Sequence, residues 1–214
     1  MTKQVRKYLK MISSEESIIL IKKENVVDFF ENEKNVEDYI KMAEGYDGHD
    51  LIPILRKHLP DGASVLELGM GPGKDFELMS AHFQITGSDS SYVFLDRFQK
   101  THPDADLLLI DAATLDTKCK FDGIYSNKVL IHLTKAEVKA SFRRQAEVLN
   151  DGGIAFHTVW YGDVEEEYNG LRFIYYTPET LTELIGESFE IIETSVFSEM
   201  EEADSFYILM RKKQ

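Results

Sequence analysis

The sequence predicts an α/β fold: a mostly parallel sheet of seven strands, covered by helices on both faces and closed by an antiparallel hairpin. Three observations predict it. From Ala63 onward, apolar runs of about five residues alternate with helical stretches, the pattern of β–α units feeding a parallel sheet. The last two runs, 189–197 and 206–211, are joined by only a short acidic turn, so they must pair antiparallel. Between the first run and its helix, Gly69, Gly71 and Gly73 stand at every second position. A backbone built this way turns sharply and lets a ligand come close, because glycine tolerates φ > 0.

Taken in order, Ser13–Ser17 reads as a turn or cap and Ile18–Ile21 as a short apolar run. Val36, Tyr39, Ile40 and Ala43 recur at three- and four-residue steps, which marks an amphipathic helix. Gly45-Tyr-Asp-Gly48 breaks it. Asp50 then caps a second helix through about His58, which Pro60-Asp-Gly62 ends. Strands follow at 63–68, 84–87, 105–110, 123–126, 153–159, 189–197 and 206–211, with helices at 74–82, 92–101, 135–149 and 178–186. Thr134 and Glu137 form a capping box for the third of these helices. Pro178 occupies the first position of the fourth, where its missing N–H costs nothing. Residues 1–46 form an N-terminal helical segment and 47–214 the main domain.

Composition narrows the function. The chain has 214 residues, 43% of them hydrophobic and 29% charged, which suits a soluble domain with a full core. No apolar run approaches the roughly 18 residues that span a bilayer, and no signal-peptide pattern follows the basic N-terminus. We therefore expect a cytoplasmic protein with no membrane partner, monomeric or homodimeric. A formal net charge of −14 argues against nucleic acid as substrate, since phosphate contacts need clustered Lys and Arg. The acidic runs Glu165-Glu166-Glu167 and 199–204 read as solvated loops first and, if placed near an active-site mouth, as a field that draws in a cationic substrate. The single cysteine, Cys119, excludes an internal disulfide and reads as an inert, partly buried thiol. The six histidines show no H-x-x-H or H-E-x-x-H spacing, so no metal is expected.

The glycine-rich turn lies in Ser64-Val-Leu-Glu-Leu-Gly-Met-Gly-Pro-Gly-Lys-Asp75. Asp89 follows Gly69 by twenty residues at the end of the next strand, the place of a ribose-binding acid in a nucleotide-binding βαβ unit. The two features predict an adenosine-bearing cofactor. A dinucleotide fingerprint would need glycine where Lys74 stands, which disfavours a nicotinamide oxidoreductase. A phosphate-binding loop would need glycine at Leu68 and a hydroxyl residue at Asp75. What remains is E-x-G-x-G-x-G.

That motif resembles the first motif of class I S-adenosylmethionine-dependent methyltransferases, and the likeness extends along roughly residues 35–214. Asp89 matches the ribose acid, and Asp111-Ala112 the residues beside the adenine. Phe121-Asp-Gly-Ile-Tyr-Ser-Asn-Lys-Val-Leu-Ile-His-Leu133 resembles the fourth strand and its following loop, and Glu147-Val-Leu-Asn-Asp-Gly-Gly-Ile154 the turn into the fifth. The resemblance implies a Rossmann-like three-layer sandwich and S-adenosylmethionine as cofactor. It implies that Glu67, Gly69, Met70, Gly71, Gly73, Asp89, Ser90, Asp111, Ala112 and Asn127 hold the cofactor, with residues 1–46 as a lid. Met70 either packs against the cofactor or fills a gap, and Asp75 either serves the loop or simply suits the first turn of a helix.

Methyl transfer from a sulfonium needs chiefly alignment of nucleophile, methyl and sulfur. His132 is the candidate proton acceptor, since an ordinary imidazole titrates near 6.5, and Tyr46 is a second catalytic candidate. Substrate contacts are expected from the least regular parts of the chain, beginning with Tyr39 and Tyr46 on the N-terminal segment. His157, Trp160 and Tyr161 leave the fifth strand at its ligand-binding end. Arg172, Tyr175 and Tyr176 precede the last helix, and aromatic rings there could hold a cation. The expected acceptor is a small molecule. Asn-Pro-Pro-Tyr and Asp-Pro-Pro-Tyr are absent at Ser126-Asn-Lys-Val129, which argues against amino methylation of nucleobases or glutamine. The rival readings are a protein acceptor and a non-catalytic cofactor-binding module.

Overall fold

The computed structural model describes residues 29–168 and 171–214, so the Ser13–Ser17 turn and the Ile18–Ile21 run lie outside the described residues. In chain order the strands are β1 (Ser64–Leu68), β2 (Gln84–Asp89), β3 (Asp106–Leu109), β4 (Phe121–Asn127), β5 (Leu149–Trp160), β6 (Glu165–Tyr168), β7 (Leu171–Ile174), β8 (Phe189–Phe197) and β9 (Ser205–Lys212). Among the described residues, seven of them form one sheet in the order β3-β2-β1-β4-β5-β9-β8. The first five run parallel, and β9 pairs antiparallel with both β5 and β8. The order reverses between β1 and β4, and the crevice beyond their C-terminal ends is where such sheets bind ligands.

Six helices pack around the sheet among these residues: α1 (Glu33–Met42), α2 (Ile52–Leu55), α3 (Lys74–Ser80), α4 (Tyr92–Thr101), α5 (Lys135–Val148) and α6 (Pro178–Ile185). Strand alternation sorts the core into two halves. Val65, Tyr125, Phe156 and Leu209 pack with Ile52, Leu55, Phe76, Met79 and Phe98 of α2, α3 and α4. Leu66, Leu68, Ile124 and Ala155 pack on the other face with Val138 and Phe142 of α5 and Leu181 and Ile185 of α6. Full burial of one such side chain, Phe142, stabilises the fold by roughly 1.5–3 kcal/mol. This is the three-layer Rossmann-like sandwich, and no helix among the described residues is long and apolar enough to cross a membrane.

The helix ends follow local chemistry. Asn32 caps α1 by accepting from Lys34 and Asn35 N–H, and Thr134 and Glu137 close the capping box of α5. The second helix is shorter than its pattern predicts. It starts after Leu51 without a side-chain cap, so Asp50 does not serve, and Lys57 and His58 continue as tighter i→i−3 turns. The acidic run at 165–167 is not a loop: it forms β6, which pairs with β7 as a separate antiparallel hairpin. Nor is the turn at 199–204 simply solvated. The carboxylate of Asp204, buried, accepts from the N–H groups of Glu199, Met200 and Glu201. Cys119 is exposed rather than partly buried.

Candidate functional site

The loop after β1 is shaped by backbone that only glycine adopts easily. Gly69, Gly71 and Gly73 have φ of 63°, 49° and 82°. A Cβ on Gly69 would stand 2.5 Å from Cγ2 of Val129, so the segment after β4 passes directly against the turn. Gly71 N–H donates to Oδ2 of Asp89 at 2.9 Å, and Ser91 N–H donates to Oδ1 at 2.9 Å. The acid at the end of β2 thus fixes the glycine loop while one edge of it faces the cavity.

Two joined chambers lie beyond the strand ends. The larger, of about 120 Å³, is bounded by Tyr39, Met42 and Tyr46 from the N-terminal side and by Glu67, Met70 and Asp75 around the glycine loop. Ile131, Trp160, Glu199 and Met200 close its far wall. The smaller, of about 90 Å³, is lined by Phe30, Asp89, Ser90, Phe94, Ile110 and Ala112. Both share Tyr39, Gly69, Gly71, Asn127, Lys128 and His132, so these residues stand where the chambers meet. Tyr39 is held there by edge contacts with Phe30 and Phe94, at 5.3 and 5.7 Å between ring centroids.

The site is acidic. Burial pushes the Glu67 carboxyl well above the usual range, and the charges of Asp75 and Asp89 push it further. Its Oε2 is buried without a hydrogen-bond partner. Burial also raises Asp89 to about 6, against the N–H groups of Ser91, Gly71 and Ser90, which favour the carboxylate. A buried carboxylate oxygen facing a cavity without a partner costs about 1–3 kcal/mol, which a cationic ligand group placed there would recover. The smaller chamber pairs the Asp89 edge with an apolar shelf of Ile110 and Ala112. Together they suit a ribose and its base.

His132 sits in a short 3₁₀ turn, Leu130–His132, and its Nδ1 lies 2.8 Å from the Arg172 carbonyl. A carbonyl only accepts, so Nδ1 carries the proton and Nε2 is the acceptor. Burial lowers this imidazole to about 4, keeping it neutral at pH 7. The β6–β7 hairpin backs it: Phe173 meets His132 edge-on at 5.1 Å and stacks on Trp160 at 5.6 Å. Lys128, at the left-handed φ of 58°, turns its ammonium to within 2.6 Å of Glu199 and over the Phe197 ring.

Several expected site residues lie elsewhere. His157 is a core residue: its Nδ1 accepts from Ser126 Oγ at 2.7 Å and its Nε2 donates to Gln145 Oε1 at 2.8 Å. Alternation along β5 turns it beneath α5 rather than toward the crevice, and burial lowers it to about 3. Gly73 caps α3 instead of lining a chamber, and a Cβ there would meet the Phe98 ring at 2.2 Å. The Asp111 carboxylate accepts from Ala113 N–H at 2.6 Å as a turn residue. Tyr161 is exposed against Phe206, and Arg172 pairs with Glu165 at 3.6 Å. Tyr175 packs behind Trp160, and Tyr176 is buried away from the cavity. Glu199 and Met200 of the acidic run reach the larger chamber, the alternative place the sequence allowed that run. Sequence reasoning missed Phe30 and Phe94, which only the folded chain brings to the smaller one.

Residues 65–153 match the methyltransferase domain family. No curated protein matches the sequence. Among solved structures, a Burkholderia thailandensis 1,6-didemethyltoxoflavin-N1-methyltransferase with its substrate and S-adenosylhomocysteine superposes with a TM-score of 0.74 at 17% identity, covering 92% of this chain and 94% of that one. An S-adenosylmethionine-dependent methyltransferase from Clostridium acetobutylicum gives 0.68 at 14% identity, with 82% and 99% coverage. The glycopeptide N-methyltransferase MtfA with S-adenosylmethionine gives 0.64 at 16% identity, with 80% and 89% coverage. The chain thus matches the methyltransferase domain family over residues 65–153 and shares the Rossmann-like fold of these solved methyltransferases.

Proposed function

We propose that this chain transfers a methyl group from S-adenosylmethionine to a small-molecule acceptor, as a cytoplasmic monomer or homodimer. The observation that carries the reading is the pair of chambers meeting at Gly69, Gly71, Asn127 and His132, with the unpartnered Glu67 carboxylate in one and Asp89 in the other. Asp89 accepts from the ribose hydroxyls, and Ile110 and Ala112 cover the base. Glu67 faces the α-ammonium. The chemistry supplied by the bound cofactor is an electrophilic methyl on a sulfonium.

The rest of the larger chamber serves the acceptor. Tyr46, Met42, Ile131, Trp160 and Met200 exclude water and present an aromatic and thioether surface. Neutral His132 offers Nε2 to an N–H or O–H of the acceptor, orienting its lone pair and taking the proton as the methyl bond forms. Residues 29–46, the described part of the N-terminal segment with α1 as its main element, act as a lid over the larger chamber. The small cavity supports a small acceptor, as does the toxoflavin precursor bound by the Burkholderia neighbour.

Calorimetric titration of S-adenosylmethionine and S-adenosylhomocysteine into wild type and Asp89→Ala tests the cofactor site. Micromolar binding lost in the variant is the expected result. Labelled methyl transfer into a low-molecular-mass cell extract then tests the acceptor class. Label appearing only in protein would sink the small-molecule reading.

A further inference from the structure

Asp75 is the second residue of α3, yet its carboxylate does not serve that helix. Oδ1 accepts from Gly48 N–H at 2.6 Å, while Oδ2 accepts from the Tyr125 hydroxyl at 2.7 Å and from Asn127 Nδ2 at 3.1 Å. The three donors come from two separate parts of the fold: Gly48 from the turn after α1, and Tyr125 and Asn127 from β4. Asp75 is itself buried. Gly48 is fitted to this contact. A Cβ there would stand 2.5 Å from Tyr125 Oη and 2.9 Å from Asp75 Oδ2.

Each donor bears on the cavity. Gly48 follows Met42, Ala43, Tyr46 and Asp47, which wall the larger chamber. Asn127 lines both chambers, and its amide is fixed at two ends, since Thr158 Oγ1 donates to its Oδ1 at 2.5 Å. The same threonine accepts from Lys128 N–H at 3.1 Å. A single carboxylate therefore joins the N-terminal wall to the loop on which the chambers meet.

We infer that Asp75 is a positioning residue: its carboxylate latches the segment ending at Gly48 over the cofactor cavity and sets the amide of Asn127. It need not touch the cofactor. The inference rests on the cofactor reading above. Asparagine at 75 keeps one carbonyl oxygen for Gly48, but its NH2 then faces the donors of Tyr125 and Asn127. The latch and the Asn127 orientation cannot both survive that change.

The test measures S-adenosylhomocysteine affinity and amide hydrogen exchange over residues 43–50 in wild type, Asp75→Asn, Gly48→Ala and Gly48→Ala/Tyr125→Phe. Asp75→Asn should weaken binding about tenfold and speed exchange of the 43–50 amides, with and without ligand. Gly48→Ala should do the same from the other side, because its methyl pushes against Tyr125 and Asp75. Adding Tyr125→Phe removes the oxygen that the methyl meets and should restore part of both. Helix or sheet amides should not change, which separates a latch from general loss of stability. If wild type binds and Asp75→Asn keeps wild-type affinity and exchange, the inference is wrong while the cofactor reading stands. If wild type binds no S-adenosylhomocysteine, the cofactor reading fails and takes this one with it.

Discussion

Replacing Asp89 with asparagine should flatten the pH dependence of S-adenosylhomocysteine binding, and the structure sets the size of the effect. Burial raises this carboxyl from 3.8 to about 6. The shift of roughly two units corresponds to about 3 kcal/mol. A raised folded pKa means that the ligand-free fold favours the protonated acid. That stability is fully present below the ordinary value and is lost as pH rises through about 6. On the proposed reading ribose hydroxyls donate to the ionised form, so binding must draw the proton off. At pH 5 about one Asp89 in eleven is ionised, so wild-type affinity should be about tenfold weaker there than on the plateau above pH 7. The assay is calorimetric titration from about pH 5 to 8 in two buffers of different ionisation enthalpy, which counts released protons. Asp89→Asn should bind at least tenfold more weakly at pH 7, and its deficit should shrink toward pH 5. Glu67, also raised, leaves a residual slope in both proteins. A constant ratio of the two affinities across this range would refute the reasoning.

The remaining predictions concern packing and catalysis. Gly73→Ala combines a left-handed backbone, costing about 1–2 kcal/mol, with a methyl driven into Phe98, costing about 1–3 kcal/mol, so calorimetry should find a melting point lower by roughly 5–15 °C. His157→Leu leaves Ser126 and Gln145 without their buried partner and should cost about 2–4 kcal/mol in denaturant unfolding. Below its melting point that variant should still bind S-adenosylhomocysteine like wild type; altered acceptor preference would return His157 to the site. His132→Asn should lower methyl transfer by about 10²–10⁴ with little change in S-adenosylhomocysteine affinity. With donor saturating, wild-type turnover should show its His132 inflection near 4 rather than 6.5, because the neutral ring is stable down to that pH.

How much of this was visible in the sequence depends on whether the cause was local. Gly69, Gly71 and Gly73 show because a left-handed backbone demands glycine wherever the chain later packs, and Asp89 shows because β–α–β spacing is repetitive. Residue type alone could not divide their work, since Gly73 answers to the Phe98 ring, Gly69 to Val129, and Gly71 to nothing nearer than Tyr39 at 3.7 Å. The alternation of β5 was equally readable, but both faces of a central strand are buried. His157 could therefore be placed on a strand without knowing that α5 covers it. The β6 segment had no apolar alternation to display, and its structure comes from pairing with β7 across a turn.

Gly48 is the sharper case. Its backbone is not left-handed, so nothing local explains why it is glycine, and its constraint comes from Asp75, 27 residues on, and from the ring of Tyr125. An acid in the first turn of a helix has a ready explanation in the dipole, and that explanation hides the three donors Asp75 gathers. The glycine turn is set by backbone geometry within one βα unit. The walls of the chambers are set by contacts between distant segments, and there residue identity carries meaning only once the partner is known.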